Sequence, residues 1–146
     1  MLFRSENNRV EQLIFITGHG DIPMCAQAMK AGAVDFLPKP FKPKEVLRSV
    51  ERALTRSAEQ RRRTSEKERA LALLDRLTPR EREVMQLVAT GLLNKQVGGM
   101  LGMAEKTVKT HRAHVMQKLR ITSVAELMVV LQRAEITPPV RPGTKV

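Results

Sequence analysis

Two hydrophobic rhythms divide this chain. Near the N-terminus, Leu13-Ile14-Phe15-Ile16 is an unbroken apolar run, the pattern of a strand buried in a parallel sheet. It ends in Thr17-Gly18-His19-Gly20-Asp21, a loop. Pro23 then opens a helix whose small face holds Ala26, Ala28 and Ala31, with Gly32 as its stop. A second strand, Val34 to Leu37, ends at Pro38-Lys39-Pro40-Phe41. The spacing over about 43–56 predicts an amphipathic helix with Val46, Val50 and Leu54 inward. Strand, helix, strand, helix is half of a doubly wound α/β domain.

From there the rhythm is helical. Thr55 to Arg69 is charged, lacks aromatics and includes Arg61-Arg62-Arg63; it reads as a solvated helical linker reaching toward Leu71 and Leu74, or as a segment touching a nucleic-acid backbone. Thr78-Pro79-Arg80-Glu81 is a capping box with Pro at the first helical position. Val84, Leu87 and Val88 give the next helix its stripe, and Gly91 its stop. A short helix over about 94–101 ends at Gly102, and Gly102-Met103-Ala104 turns into a basic helix. Ser123 to Glu126 is a second capping box, opening a helix through Leu127, Val130 and Leu131. The tail, 136–146, is Pro-rich and expected to be disordered.

The basic helix is two-faced. On a wheel of about 100° per residue, Val108, Val115 and Leu119 share one side with Arg112 at its edge. Lys106, Lys109, Thr110, Ala113 and Gln117 share the other, with Arg120 close by. Long cations, a hydroxyl, an amide and one small residue suit the major groove of DNA. Helix, Gly-containing turn, basic helix is a helix-turn-helix arrangement. The formal net charge of +11 is uneven, +3 over residues 1–57 and +8 over 58–146, which fits nucleic-acid binding by the helical half.

This helical segment resembles the DNA-binding domain of LuxR/FixJ-type bacterial transcription regulators. LTPREREV, Gly91-x-x-Asn94-Lys95, Leu101-Gly102 and Thr107-Val108-Lys109-x-His111 follow the family pattern in order and spacing, over roughly 76–132. The resemblance implies that Lys109, Thr110 and Ala113 face bases, with Lys106, Thr107 and Lys118 nearer phosphates. It also implies a dimer contact through the fourth helix. Three departures bear on stability. Leu93 and Gln96 stand where the family usually has Ser or Thr and Glu, leaving Asn94 to cap the second helix. Ala104 replaces a usual Ser cap, a loss of typically ~1 kcal/mol. Gly98-Gly99 lies inside a helix, where each Gly costs about 1 kcal/mol relative to Ala.

The front half, roughly 10–55, resembles the C-terminal part of a two-component receiver domain through ITGHGD and AMKAGAVDFLPKPF. The resemblance places Thr17 and Lys39 at positions that contact an aspartyl phosphate, Phe36 at the aromatic switch position, and a cis peptide at Lys39-Pro40. A receiver also needs an acidic pair for Mg²⁺ and an Asp nucleophile, both upstream of this strand. The Asp residues here, Asp21 and Asp35, occupy neither position. The front piece therefore reads as a truncated receiver or the product of a late start codon, with a vestigial phosphate site and an open sheet edge.

Enzyme chemistry finds little support. Cys25 is the single Cys, reads as a buried thiol, and suits the cytosol. His111 and His114 lie three apart on one helix and could ligate metal, but they have no Cys, His or carboxylate partner at metal spacing, so packing plus a phosphate contact is the reading for the pair. Gly18-His19-Gly20 lacks Walker spacing. No signal peptide, membrane span or repeat is visible. The expected chain is mainly α with a partial α/β segment: a half-receiver over 1–56, a helical linker over 57–75, a four-helix helix-turn-helix domain over 76–135, and the tail. It is expected to be a cytoplasmic, sequence-specific transcription regulator, not an enzyme and without metal or cofactor. It would not be phosphorylatable in this form. Its DNA-binding residues would be Lys106, Thr107, Lys109, Thr110, His111, Ala113, Gln117 and Lys118. Expected partners are double-stranded promoter DNA, a second copy as homodimer, and RNA polymerase or an intact response regulator. The alternative is an interaction protein that pairs with an intact regulator through the retained receiver face.

Overall fold

A computed structural model describes residues 11–18 and 22–140. His19, Asp21 and the end of the tail, 141–146, lie outside these residues. The chain divides into two compact units, 1–63 and 64–146.

In the first unit, β1 (Ile14–Thr17), α1 (Ile22–Lys30) and β2 (Asp35–Pro38) lead into α2 (Pro43–Leu74). The β-branched and aromatic residues of β1 and β2 pair in parallel, with Phe15 opposite Phe36 and Thr17 opposite Pro38. Gly32, at φ +90°, allows the reversal after α1. The Lys39-Pro40 peptide is cis.

Burial in this unit is shallow: Ala28, Ala33, Leu37 and Ser49 are the buried positions among the described residues. The expected inward faces are therefore corrected. Ala26 and Ala31 are exposed, as are Val50 and Leu54, and β1 is only half-buried. Over 43–56 of α2 the covered positions are Val46, Ser49 and Ala53. A serine holds the centre because its hydroxyl donates to Asp35 and lies 2.9 Å from the Glu45 carbonyl. Arg52 pairs with the same Asp35 carboxylate.

In the second unit, the last turns of α2 are joined by α3 (Pro79–Ala89), α4 (Asn94–Leu101), α5 (Glu105–Leu119) and α6 (Val124–Arg133). α2 runs through 57–74 unbroken, and its end brings Ala70 and Leu74 into this core. Val84, Met85, Val88, Leu92, Val97, Val108, Val115, Leu119, Leu127 and Leu131 complete the centre. At roughly 1.5–3 kcal/mol per fully buried large side chain, this cluster supplies most of the unit's driving force.

Caps set the boundaries. Thr78 Oγ1 accepts from the Glu81 amide at 3.2 Å, and Glu81 Oε2 accepts from the Thr78 amide at 2.8 Å. Ser123 accepts from the Glu126 amide, but Glu126 returns to the Thr122 amide, one residue earlier than a capping box requires. The cap of α4 is Leu93, not Asn94. Half a box survives, because the Leu93 amide donates to Gln96 Oε1 at 2.9 Å. Gly91 and Gly102, at φ +81° and +64°, end α3 and α4.

The two helical glycines differ. A Cβ on Gly99 would meet nothing within 4 Å, whereas one on Gly98 would lie 2.6 Å from the Met103 carbonyl oxygen. The helix-turn-helix turn folds back against Gly98, so the expectation that both glycines are mere costs is corrected for Gly98.

Candidate nucleic-acid interface

α5 meets α3 and α4 through its apolar stripe. Val108, Val115 and Leu119 are at most 2% exposed. That burial turns the opposite stripe outward, and Lys106, Thr107, Lys109, Thr110, Ala113 and Gln117 are all exposed on it. Thr110 Oγ1 donates to the Lys106 carbonyl at 3.1 Å, which leaves its lone pairs facing solvent. Ala113, between the longer side chains, leaves room for close approach.

Two predicted residues sit differently. Lys118 is half-buried, with Nζ 2.6 Å from Glu81 Oε2. Its charge is committed to the start of α3. His111 is half-buried and its Nδ1 is enclosed without a hydrogen-bond partner. These two lie toward the scaffold; the other six form the open face.

Three polar clamps orient α5 and α4. Arg112 donates to Asn94 Oδ1 at 3.2 Å, joining α5 to the start of α4. Arg80 donates to the Leu101 carbonyl at 2.9 Å, joining α3 to the end of α4. Glu81, 3% exposed, receives Lys118 from α5. Burial would raise the Glu81 carboxyl, but hydrogen bonds from Lys118 and Thr78 prevail and hold it below the ordinary glutamate value. Sequence reasoning assigned Glu81 only to the capping box. The alternation of Arg80, Glu81 and Arg82 carries no sign that the middle residue points inward.

In the first unit, the Lys39 amide donates to the Thr17 carbonyl at 2.7 Å, so the ends of β1 and β2 bring these two positions together. Phe36 is half-buried in β2. The Asp35 carboxylate is already engaged by Phe36 N, Ser49 and Arg52.

Comparison with known proteins supports both units. Residues 75–131 match bacterial regulatory proteins of the luxR family, and residues 2–51 match the response regulator receiver domain. Nodulation protein W of Bradyrhizobium diazoefficiens is 53% identical over 116 residues, which is 80% of this chain and 51% of that protein. The tetrathionate response regulatory protein TtrR of Salmonella typhimurium is 43% identical over 80% of this chain and 54% of its own length. A solved structure of the response regulator StyR superposes with a TM-score of 0.68 at 47% identity, covering 84% of this chain and 62% of that one. The chain spans about half the length of the curated relatives it matches.

Proposed function

Residues 75–131 belong to the luxR family of bacterial regulatory proteins and residues 2–51 to the response-regulator receiver family, and from this pair we propose a sequence-specific, DNA-binding transcription regulator. The observation that carries the reading is the exposed stripe of α5, held outward by a fully buried opposite face. Lys109, Thr110, Ala113 and Gln117 read base edges in the major groove, and Lys106 and Thr107 contact flanking phosphates. Lys118 contributes by fixing α5 on α3 through Glu81. The protein acts as a cytoplasmic homodimer on promoter DNA. Met128 and Val129, exposed on α6, are candidates for the dimer contact.

The working division is a receiver segment over 1–56, helix over 57–75, the helix-turn-helix domain over 76–135 and a tail over 136–146. Asp35 does not serve as a phosphoryl acceptor in this reading, because Ser49 and Arg52 already hold its carboxylate. RNA polymerase is a further proposed partner.

The test is selection of bound duplexes from a random library, followed by titration of the winner and of random DNA at several salt concentrations. A specific complex at least about 10³-fold tighter than random DNA is expected. Equal affinity for both would refute sequence-specific binding. Incubation with acetyl phosphate and Mg²⁺ should leave the mass unchanged; a stoichiometric phosphoryl adduct would refute that part of the reading.

A second reading has its own support in the exposed apolar side chains of the first unit. Ile22 is 86%, Leu54 66% and Leu47 61% exposed. Such a surface suits pairing with an intact regulator. Mixed-dimer formation with a full-length relative, abolished by Leu54→Glu, would favour it.

A further inference from the structure

His111 and His114 lie three residues apart on α5, so both rings face the same side of the helix. That side looks onto Glu81, at the start of α3. One ligand atom from each of the three residues can be chosen so that all lie within 4.8 Å of one another. His114 Nδ1 is 3.7 Å from Glu81 Oε1. The other carboxylate oxygen, Oε2, is fixed by the Thr78 amide at 2.8 Å and Lys118 Nζ at 2.6 Å. His111 Nδ1 is buried and has no hydrogen-bond partner. A carboxylate held through Oε2 and one nitrogen from each of two imidazoles therefore converge from two helices.

We propose that Glu81, His111 and His114 form a site for a divalent transition-metal ion of the zinc type. Two imidazoles and one carboxylate are a recurrent zinc ligand set, with metal–ligand distances of about 2.0–2.2 Å. Tetrahedral bonds of that length place ligand atoms roughly 3.4 Å apart. His114, exposed and free to rotate, can supply most of the closure. Imidazole nitrogen favours zinc, nickel or copper over calcium or magnesium, which prefer a shell of oxygens. Water fills the remaining position on the open side of His114. Lys118 and Thr78 act as the outer shell that orients the carboxylate. The Lys118 charge opposes the cation, so the site is a modest binder.

Occupancy would pin the middle of α5 to the first turn of α3. The DNA-facing stripe would then be fixed by a coordinate link as well as by packing. The ligand set was hidden in the sequence because Glu81 belongs to a different helix and is already explained by its capping role.

The test uses the full chain, freed of metal, titrated with Zn²⁺ against a chromophoric chelator and followed in parallel by thermal melting. Co²⁺ supplies a spectroscopic readout of four-coordinate geometry. One equivalent of Zn²⁺ should bind and raise the melting midpoint of the helix-turn-helix unit. His114→Ala, at an exposed position, should retain the fold, weaken binding at least about 10-fold and abolish the midpoint shift. His111→Ala should do the same. His19→Ala and Cys25→Ser control for the other imidazole and the thiol, and should leave binding unchanged. Binding that survives both α5 histidine changes, binding that disappears with His19 or Cys25, or no binding would each overturn the proposal.

Discussion

Gly98→Ala and Gly99→Ala should move stability in opposite directions, although the residues are adjacent in one helix. Each change brings the same gain in helix propensity, about 1 kcal/mol. At Gly99 nothing opposes it, because the new methyl group enters open space. At Gly98 the methyl group would sit 2.6 Å from the Met103 carbonyl oxygen, a backbone atom, with Val108 Cγ2 at 3.6 Å behind it. The turn cannot retreat easily, because the Met103 amide donates to the Gly98 carbonyl at 2.9 Å. Forcing an extra methyl group into such a contact typically costs about 1–3 kcal/mol. The net for Gly98→Ala is a loss of up to about 2 kcal/mol, against a gain of about 0.5–1 kcal/mol for Gly99→Ala. In a unit of this size 1 kcal/mol moves the midpoint by roughly 4–8 °C. The chain has no Trp or Tyr, so far-ultraviolet circular dichroism gives the melting curve, and amide exchange at Val97 and Val108 isolates the helix-turn-helix unit. A Gly98→Ala chain that gains stability as Gly99→Ala does would refute the steric argument. A Gly99→Ala chain less stable than the parent would refute the claim that its surroundings are open.

Lys109→Ala should cost about 1–3 kcal/mol on the selected site and relax preference at one position, whereas Lys106→Ala should weaken specific and random DNA alike and flatten the salt slope; titrations at several salt concentrations distinguish them. Arg120 ends α5 at φ +56°, a conformation that costs a non-glycine residue roughly 1–2 kcal/mol, so Arg120→Gly should raise the melting midpoint by several degrees, and a lower midpoint would show that the arginine side chain matters more than its backbone. The Thr122 amide and hydroxyl hold the Glu126 carboxyl below its ordinary value. Its contribution is therefore complete above the ordinary glutamate pKa and is lost as pH falls through the lower folded value; Glu126→Gln should flatten that part of the acid limb in urea melts, and an unchanged pH profile would count against the Thr122 contact.

The two faces of α5 were legible because a helix wheel needs only local spacing, and Val108, Val115 and Leu119 repeat at that spacing. The helix ends were legible for the same reason, through Thr78, Gly91 and Gly102. What escaped depended on approach in three dimensions. Spacing assigns the inward face of α2 to Val46, Val50 and Leu54, whereas Ser49 holds its centre because Asp35 and the Glu45 carbonyl lie within reach of its hydroxyl. Gly98 looked like a defect until the Met103 carbonyl approached it. Resemblance places Lys118 near phosphates, and spacing along the chain gives no sign of its pairing with Glu81, buried in the first turn of α3. In each case a polar or small residue took a position that hydrophobic patterning assigns to nothing in particular.

The bare start of α4 has a consequence for motion. Leu93 offers no side-chain acceptor to the first amides of the helix, and within its eight residues only Val97 and Gly98 are buried. Few enclosed contacts and an uncapped end mark the low end of local opening free energies. Amides at the start of α4 should therefore exchange with solvent deuterium well before those of Val84, Val115 or Leu127. A segment that frays in this way carries conformational entropy that docking must remove. Part of the cost of binding DNA would then be set by α4, outside the exposed stripe of α5, and a substitution that quiets α4 would tighten specific and random DNA complexes by the same factor.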